Sequence, residues 1–232
     1  MNSNLRSFTI GTMATLGLFL GEIAMAIEEP GFDRLEKVDN IEVRQYRPFI
    51  VAETFVDGDM SSASSKGFRL IADYIFGNNL SARESGIKSS EKSEKIAMTA
   101  PVSVEPAVPS ETIAMTAPVS VEPLGDSTIK MTQGKRWRVQ FAMPSEYSMA
   151  TLPKPRNPAV TLREVPSKRF AVLVFSGFSG EEKVQQKVDE LLVWLKAKNK
   201  RAIAAPQLAR YNPPWTLPFM RRNEILVEVA VP

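Results

Sequence analysis

Two segments of the chain have the same order of local patterns, and this internal doubling strongly constrains the fold. Residues 41–58, IEVRQYRPFIVAETFVDG, alternate apolar and polar side chains around a turn at Pro48. Residues 160–177, VTLREVPSKRFAVLVFSG, repeat the alternation around a turn at 166–168. Alternation of this kind is typical of half-buried β-hairpins. The sequence therefore predicts two hairpins at corresponding places in two halves of one chain.

A helical pattern follows each predicted hairpin. Residues 61–77, SSASSKGFRLIADYIFG, begin with serines that could cap a helix and close at Gly77. Their apolar stripe consists of Phe68, Ile71, Ala72 and Ile75. In the second half, Ser179 and Glu182 have the spacing of a capping box, and apolar residues recur behind them up to Leu195. Two amphipathic helices are therefore predicted, with Ser179 as the N-cap of the second.

Each half also ends in two further segments with strand patterns. They are residues 96–106 and 137–144 in the first half, and residues 202–211 and 224–231 in the second. A doubled ββαββ module of this kind makes an α+β domain with about eight strands and two helices. The predicted architecture is one curved antiparallel sheet or open barrel, with the helices covering its faces.

A literal repeat lies inside the first half. The eleven residues IAMTAPVSVEP occur at 96–106 and again at 113–123, and IKMT at 129–132 begins a partial third copy. One copy is enough to form a core strand, so the other is expected to form an added hairpin or a flap beside the sheet. A recent duplication tolerated in a surface loop explains the repeat equally well.

The N-terminus has the features of a signal peptide. Arg6 precedes the apolar stretch FTIGTMATLGLFLG, and small residues stand at positions 24 and 26, where a signal peptidase recognises them. Glu22 follows too early for a comfortable membrane span of about 20 residues. We expect cleavage after Ala26, a mature chain that begins at Ile27, and export to a periplasm, a thylakoid lumen or the secretory route.

Composition excludes several kinds of site. The chain has no cysteine and no histidine, which removes disulfides, thiol nucleophiles, Cys/His metal centres and imidazole chemistry. Its basic residues are scattered and the net charge is only +3, so no nucleic-acid partner is expected. Carboxylates such as Glu146 and Glu224 cannot be paired from sequence, and FSGFSG at 175–180 lacks the spacing and the lysine of a phosphate-binding loop. An enzyme is not expected.

Five motifs, taken in order, resemble the SOUL haem-binding protein family. They are IAMTAPV, WRVQFAMPSEY, TLPKPRNPAV, AVLVFSG and RYNPPWTLPFMRRNEI. The resemblance implies one domain over residues 27–232, folded as a pseudo-two-fold distorted β-barrel flanked by two helices. It also implies non-covalent binding of haem or a related tetrapyrrole. The chain is similar as well to the effector-binding domains of bacterial regulators, whose cleft binds amphipathic small molecules.

The resemblance implies a ring that lies against the first helix and near the loop before the last strand. Matching apolar walls would be Phe68, Ile71 and Ile75 on the helix and Trp215, Leu217, Phe219 and Met220 in the loop, and matching cations would be Lys66, Arg69, Arg221 and Arg222. A stripe at helical spacing is also typical of core packing, and cations also occur on solvated faces. Both interpretations stay open for these residues.

The axial ligand of the iron is the least supported part of this hypothesis. The histidine that serves in part of the family has no counterpart here, and Met98, Met115 and Met131 are the most attractive substitutes, although methionine in such strands is mostly core filler. We therefore expect haem to be held by apolar contact and propionate pairing. The expected function is a carrier or buffer that does not touch a membrane once its signal is removed. The alternative is an interaction module that binds another amphipathic molecule or a protein partner.

Overall fold

The computed structural model describes residues 28–80, 96, 102–106, 131, 136–213 and 215–231. The predicted signal peptide at 1–26, the second repeat copy at 113–123 and Met98 lie outside these residues. In chain order the elements are β1 (Phe32–Val38), β2 (Ile41–Tyr46), β3 (Phe49–Asp57), α1 (Met60–Ile75), β4 (Asn79–Leu80), β5 (Val102–Pro106), β6 (Arg136–Ala142), β7 (Lys154–Pro155), β8 (Thr161–Val165), β9 (Lys168–Phe175), α2 (Glu181–Ala197), β10 (Gln207–Arg210) and β11 (Asn223–Glu228). An α+β fold is therefore confirmed.

Nine of the strands form one antiparallel sheet in the order β1-β2-β9-β11-β10-β5-β6-β3-β8. The strands β4 and β7 pair separately. The predicted barrel is wrong in one respect, because the sheet does not close: among the described strands, β1 and β8 end it as two edges. The strand β1 was not expected from the sequence; it pairs with β2 and forms one edge of the sheet.

The two predicted hairpins have the right strands and turns but the wrong partners. The strand β2 pairs with β9, and β3 pairs with β8, so the links at 47–48 and 166–167 cross between distant parts of the sheet. Two-residue hairpins need turns with a residue at positive φ, and proline fixes φ near −65°. Pro48 and Pro166 each occupy such a two-residue link and therefore disfavour a hairpin.

The sheet has a helix-covered face and an opposite face, which we call the inner face. The helix α1 packs on β3 and β6, and α2 packs on β9 and β11. Between them and the sheet lies the larger apolar core, with Trp137, Phe141 and Leu173 among its buried side chains. Side chains alternate along each strand, so Tyr46 and Phe170 point the other way and join a smaller apolar cluster on the inner face.

Local chemistry explains the ends of both helices. Asp59, and not a serine, is the N-cap of α1, because its Oδ1 accepts a hydrogen bond from the Ser62 amide at 2.8 Å. The helix ends at Ile75, and Gly77 follows with φ 127°. The N-cap of α2 is Gly180, so the predicted capping role of Ser179 is wrong. Ser179 Oγ instead accepts a hydrogen bond from Arg210 Nε at 2.9 Å.

The first copy of the repeat is part of the sheet. Its residues 102–106 form β5, which lies between β10 and β6. Ile96 from the same copy is buried in the helix-side core. Met131 from the partial third copy is buried there as well, and its amide donates to Gln185 Oε1 at 2.8 Å. One copy is therefore sufficient to fill the strand position between β10 and β6.

Candidate functional site

The loop between β10 and β11 exposes a cluster of large apolar side chains. Four belong to the predicted site: Trp215 is 83% exposed, Leu217 56%, Phe219 73% and Met220 62%. Phe178 from the neighbouring β9–α2 link is 67% exposed and was not predicted. We refer to Phe178, Trp215, Leu217, Phe219 and Met220 as the apolar tip.

Hydrogen bonds hold the apolar tip in place. The Gly177 amide donates to the Pro218 carbonyl at 2.9 Å and so joins the two segments that form the tip. Arg221 Nε donates to the Thr216 carbonyl at 2.8 Å, and the Arg221 guanidinium lies 5.2 Å from the Phe178 ring centre. The Arg222 amide donates to an Asn212 side chain that precedes the turn. These contacts within the protein fix the conformation of the two segments that form the tip.

The predicted helix residues divide between surface and core. Lys66 and Arg69 are exposed, and Phe68 is partly exposed with its ring centre 5.5 Å from that of Phe141. Ile71 and Ile75 are fully buried in the helix-side core, so they do not border an open cleft in this structure. A part for any of these residues in ligand binding stays a prediction.

Arg210 connects α1 to the start of α2 and thus brings the two parts of the predicted site to one end of the molecule. Its Nη1 donates to Ser64 Oγ at 3.1 Å, and its Nε and Nη2 donate to the side chain and carbonyl of Ser179. Burial lowers the pKa of Arg210. Phe68 lies one helical turn after Ser64 and therefore on the same flank of α1. Arg210 thus links this flank of α1 to Ser179, the residue that follows Phe178 of the apolar tip.

Arg222, a cation of the predicted site, is paired with carboxylates in this structure. Its Nη2 lies 2.7 Å from Glu224 Oε1, and its Nη1 lies 2.9 Å from Glu29 Oε1. The same guanidinium lies 3.9 Å from the centre of the Tyr211 ring. Two carboxylates thus compensate the charge of Arg222, and a propionate would have to compete with both.

Glu224 is the centre of a buried polar cluster on the inner face that the sequence analysis missed. It is fully buried and accepts hydrogen bonds from Arg44 Nη1 at 3.0 Å, from Arg44 Nη2 at 3.1 Å and from Tyr211 Oη at 2.6 Å. Arg44 Nε in turn donates to Glu42 at 2.7 Å. Arg222 pairs with Glu224 as well, so each of the two buried carboxylates, Glu42 and Glu224, contacts at least one guanidinium.

Burial and pairing shift the pKa values within this cluster. Burial would raise the pKa of Glu42, but the hydrogen bond and charge of Arg44 outweigh it and hold that pKa below its usual value. Burial also raises the pKa of Tyr46 to about 12, with the Arg44 charge opposing and the Glu224 charge adding. The pKa of Tyr211 lies well above its usual value because of burial and the adjacent Glu224 carboxylate. At neutral pH the Glu42 carboxylate therefore stays ionised, and the Tyr46 and Tyr211 hydroxyls stay protonated. Groups that do not change protonation state near neutral pH suit a structural role.

Two concavities border the inner face. One, of about 140 Å³, is lined by apolar and charged side chains that include Phe49, Phe170, Arg163 and Lys168. The other, of about 470 Å³, lies beside β1 and has mostly charged walls. Ligand sites usually measure about 300–1,000 Å³ and are mostly apolar. The first concavity is too small for a tetrapyrrole and the second too polar, so the apolar surface of the tip suits such a ring better.

Few groups in the described part of the chain could ligate a metal. There, no cluster of three or more histidine, cysteine, aspartate or glutamate side chains is placed to hold an ion. Met131 is buried in the core, where an iron could not reach it without a rearrangement of α2. The candidates Met98 and Met115 lie outside the described residues. None of the described helices is long and apolar enough to span a bilayer.

Solved structures share this fold at low sequence identity. The chain matches the crystal structure of the EcmrR C-terminal domain with a TM-score of 0.55 and 10% identity, over 82% of this chain and 96% of that chain. EcmrR in a cryo-EM structure of its DNA complex matches with a TM-score of 0.53 and 10% identity, over 82% and 56% of the two chains. A crystal structure of a hydrolase from Listeria innocua gives a TM-score of 0.49 at 9% identity, over 84% and 94%. The two EcmrR matches, with TM-scores above 0.5 at 10% identity, show the fold alone.

A family model extends the comparison to nearly the whole chain. No curated protein matches the sequence. The model described as SOUL heme-binding protein matches residues 27–228. That span includes every described helix and strand, from Phe32 at the start of β1 to Glu228 at the end of β11. The resemblance inferred from five ordered motifs is confirmed, and the chain belongs to the SOUL heme-binding protein family.

Proposed function

We propose that the protein binds haem or a related tetrapyrrole without a covalent bond, on the apolar tip and the adjoining flank of α1. It would act as a carrier or buffer and not as an enzyme. The observation that carries the proposal is the exposure of Trp215, Leu217, Phe219 and Met220 in one stiff loop of a SOUL family member. Large exposed apolar clusters are uncommon on monomers and usually mark a binding site.

The side chains of the tip fit one face of a flat apolar ring. Trp215 and Phe219 supply aromatic surface, and Phe68 could cover an edge of the ring from α1. Arg221 at the tip and Lys66 or Arg69 on α1 are the cations suited to propionates, whereas Arg222 is held by Glu224 and Glu29. Haem bound in this way would be carried and would take part in no reaction. Apolar contacts and pairing of its propionates with the cations would hold it.

Titration with haemin and with iron-free protoporphyrin tests the proposal. We expect both to bind with similar affinity, since no axial ligand is required. Trp215→Ala should weaken binding about tenfold or more, because an indole buries ~150–250 Å² and about 1.4 kcal/mol corresponds to tenfold. Val193→Ala removes a 70% exposed apolar side chain from α2 and is the matched control. Arg222→Ala is unsuitable, because it would also disturb Glu224.

The outcomes separate this proposal from its alternatives. Met98→Leu and Met115→Leu should leave the affinity unchanged, because volume and apolarity are nearly kept. If either change alone abolishes the Soret shift, the iron has an axial methionine and the mechanism proposed here is wrong. If neither porphyrin binds saturably, the protein is better explained as a module for another ligand. The inner-face concavity of about 140 Å³, with both apolar and charged walls, would suit a smaller amphipathic molecule.

We also propose that the protein works after export, as a chain that begins at Ile27. The supporting observation is the signal-peptide pattern in residues 1–26. Mass determination of the N-terminus in the native host tests this proposal. An intact Met1 in a membrane fraction would overturn it.

A further inference from the structure

The apolar tip concentrates exposed apolar surface at one place. Fifteen large apolar side chains are exposed in the described part of the chain, and the five of the apolar tip are among them. All five come from two short segments that the hydrogen bond between Gly177 and Pro218 joins. The other ten, which include Phe55 on β3 and Val193 on α2, are spread over the rest of the described surface. The tip is therefore a local feature of the fold and not an even excess of surface apolarity.

The shape of the tip limits what could cover it. Each of its side chains is more than half exposed, with values from 56% to 83%, so the tip protrudes and does not form the walls of a cleft. A flat ring would cover one face of such a protrusion and leave the remaining side chains in water. A partner that surrounds the tip on all sides would bury all five.

A second copy of the chain is a poor candidate for that partner. The three aromatic rings of the tip, each of ~150–250 Å² in full and about three-quarters exposed here, offer on the order of 450 Å². Leu217 and Met220, each ~60–120 Å² in full and more than half exposed, add roughly 100 Å². A stable protein interface needs roughly 800 Å² from each partner. The tip alone falls short of this area, whereas insertion into a soft apolar medium has no such threshold.

We infer that the apolar tip docks the protein on a phospholipid bilayer by inserting these side chains at the interface. Tryptophan favours the headgroup level of a membrane, and Phe219, Leu217 and Met220 supply apolar groups that could reach the acyl chains. Glu181, Glu182 and Lys183 follow Phe178 closely, and Arg221 follows Met220, so charges of both signs flank the tip. Docking therefore needs no anionic lipid and should resist salt.

This inference does not rest on haem binding, because insertion requires only the exposed side chains. It does revise the expectation from sequence that the exported protein avoids membranes. That expectation concerned a chain from which cleavage after Ala26 has removed the N-terminal apolar stretch. Interfacial docking needs only a few residues held together at a protruding loop.

Trp215 is a built-in probe for the experiment. Of the three tryptophans, Trp137 is buried and Trp194 is partly buried, so Trp215 is the one whose environment a bilayer would change most. The full-length protein, without haem, is mixed with phosphatidylcholine vesicles whose acyl chains carry bromine. We expect a blue shift and quenching of tryptophan emission, and co-sedimentation that persists in 0.5 M salt, at about the salt level where surface charge attraction is screened.

Matched variants decide the outcome. The double change Leu217→Ser, Phe219→Ser should reduce vesicle affinity by about tenfold or more. Val193→Ser, which alters a 70% exposed side chain on α2, should leave it unchanged. Residues 1–26 contain no tryptophan, so the change in emission reports the tip even where that segment also contacts the vesicle.

Three results would overturn the inference. The first is the absence of both quenching and co-sedimentation. The second is an equal loss of vesicle binding in the Val193→Ser control. The third is self-association in sedimentation velocity that the double change in the tip abolishes, since a second copy would then be the partner. If the protein binds vesicles but neither porphyrin binds, the proposed function is wrong and the docking inference stands.

Discussion

The contact between α1 and the sheet depends on the missing side chain of Gly67. A Cβ at this position would lie 2.6 Å from Val139 Cβ and 2.5 Å from Val139 Cγ2. In an exposed helix, alanine is favoured over glycine by about 1 kcal/mol. Here the added methyl group would force α1 away from β6, and overpacking of a core typically costs ~1–3 kcal/mol. We therefore expect Gly67→Ala to lower the free energy of unfolding in urea.

Two further variants isolate the cause. Ser65→Ala on the exposed side of the same helix should leave stability unchanged or raise it slightly. Gly67→Ala should cost less stability in a Val139→Gly background than in the original chain, because that background lacks the Cβ and both methyl groups in conflict. A Gly67→Ala protein that is more stable than the original would show that helix propensity outweighs the contact.

Tyr46 makes stability depend on alkaline pH. Its pKa is about 12 in the folded protein, chiefly through burial, and about 10 in an unfolded chain. Below pH 10 both states keep the proton and the contribution to stability is complete. Between about pH 10 and pH 12 only the unfolded state loses the proton, so stability falls as pH rises. Tyr46→Phe should make this fall shallower in urea titrations across that range. If the free energy of unfolding of Tyr46→Phe falls with pH as steeply as that of the original protein, the raised pKa of Tyr46 is not the cause of the fall.

Single residues also show what the sequence could not reveal. Periodicity correctly marks Ile71 and Ile75 as one apolar stripe, but it cannot distinguish a core stripe from a ligand wall, and the structure places both in the core. Arg221 and Arg222 are adjacent and look equivalent in sequence. Their surroundings differ because Arg222 lies beside Glu224, whose carboxylate also binds Arg44 from the far end of the chain. Pairing over such a separation has no local signal.

Among the larger elements, strands and helices were easier to predict than their partners. Alternation and helical spacing located both helices and most strands of the main sheet. The short strands β4 and β7 and the edge strand β1 were missed, because β1 has mostly exposed or half-exposed side chains and little alternation in burial. The exchanged pairing of β2 and β3 could have been inferred from Pro48 and Pro166, since each proline argues against a tight hairpin.

The repeat predicts an unusual tolerance in β5. Val104 is fully buried in the helix-side core, so Val104→Asp would normally be severely destabilising, because burial of an unpaired charge costs several kcal/mol. The second copy contains the same VSVEP sequence with Val121 at the matching place. If the second copy took the strand position, the loop before β5 would lengthen and the loop after it would shorten. The two changes in loop-closure entropy oppose each other, and their net effect on the free energy of folding would be less than about 0.5 kcal/mol. We therefore expect Val104→Asp to remain folded.

The test compares three variants by circular dichroism and urea unfolding. Val104→Asp and Val121→Asp should each unfold cooperatively with nearly the original stability. The double variant has no intact copy and should lose cooperative unfolding. If Val104→Asp alone unfolds the protein, the first copy is irreplaceable and the repeat has no structural redundancy.

At the scale of the whole molecule, the two halves of the doubled module are interleaved. The strands of the first half form two separate groups, β1-β2 and β5-β6-β3, and the strands β9-β11-β10 of the second half lie between them. The pattern of the sequence correctly indicates a doubled module. It does not reveal that the halves exchange strands, because alternation describes each strand and not its neighbours.

This interleaving predicts that neither half folds alone. A break after Met149, in an exposed connection between β6 and β7, gives fragments 27–149 and 150–232. The first fragment lacks the strands that join its two groups, and the second lacks β3, the strand on which β8 pairs. Each would expose one face of the larger core to water. We expect neither fragment to unfold cooperatively by itself, whereas the two co-expressed fragments should copurify and unfold as one unit. A cooperative transition in either isolated fragment would mean that half of the sheet is stable on its own and that the exchanged pairs β2-β9 and β3-β8 are not what holds the molecule together.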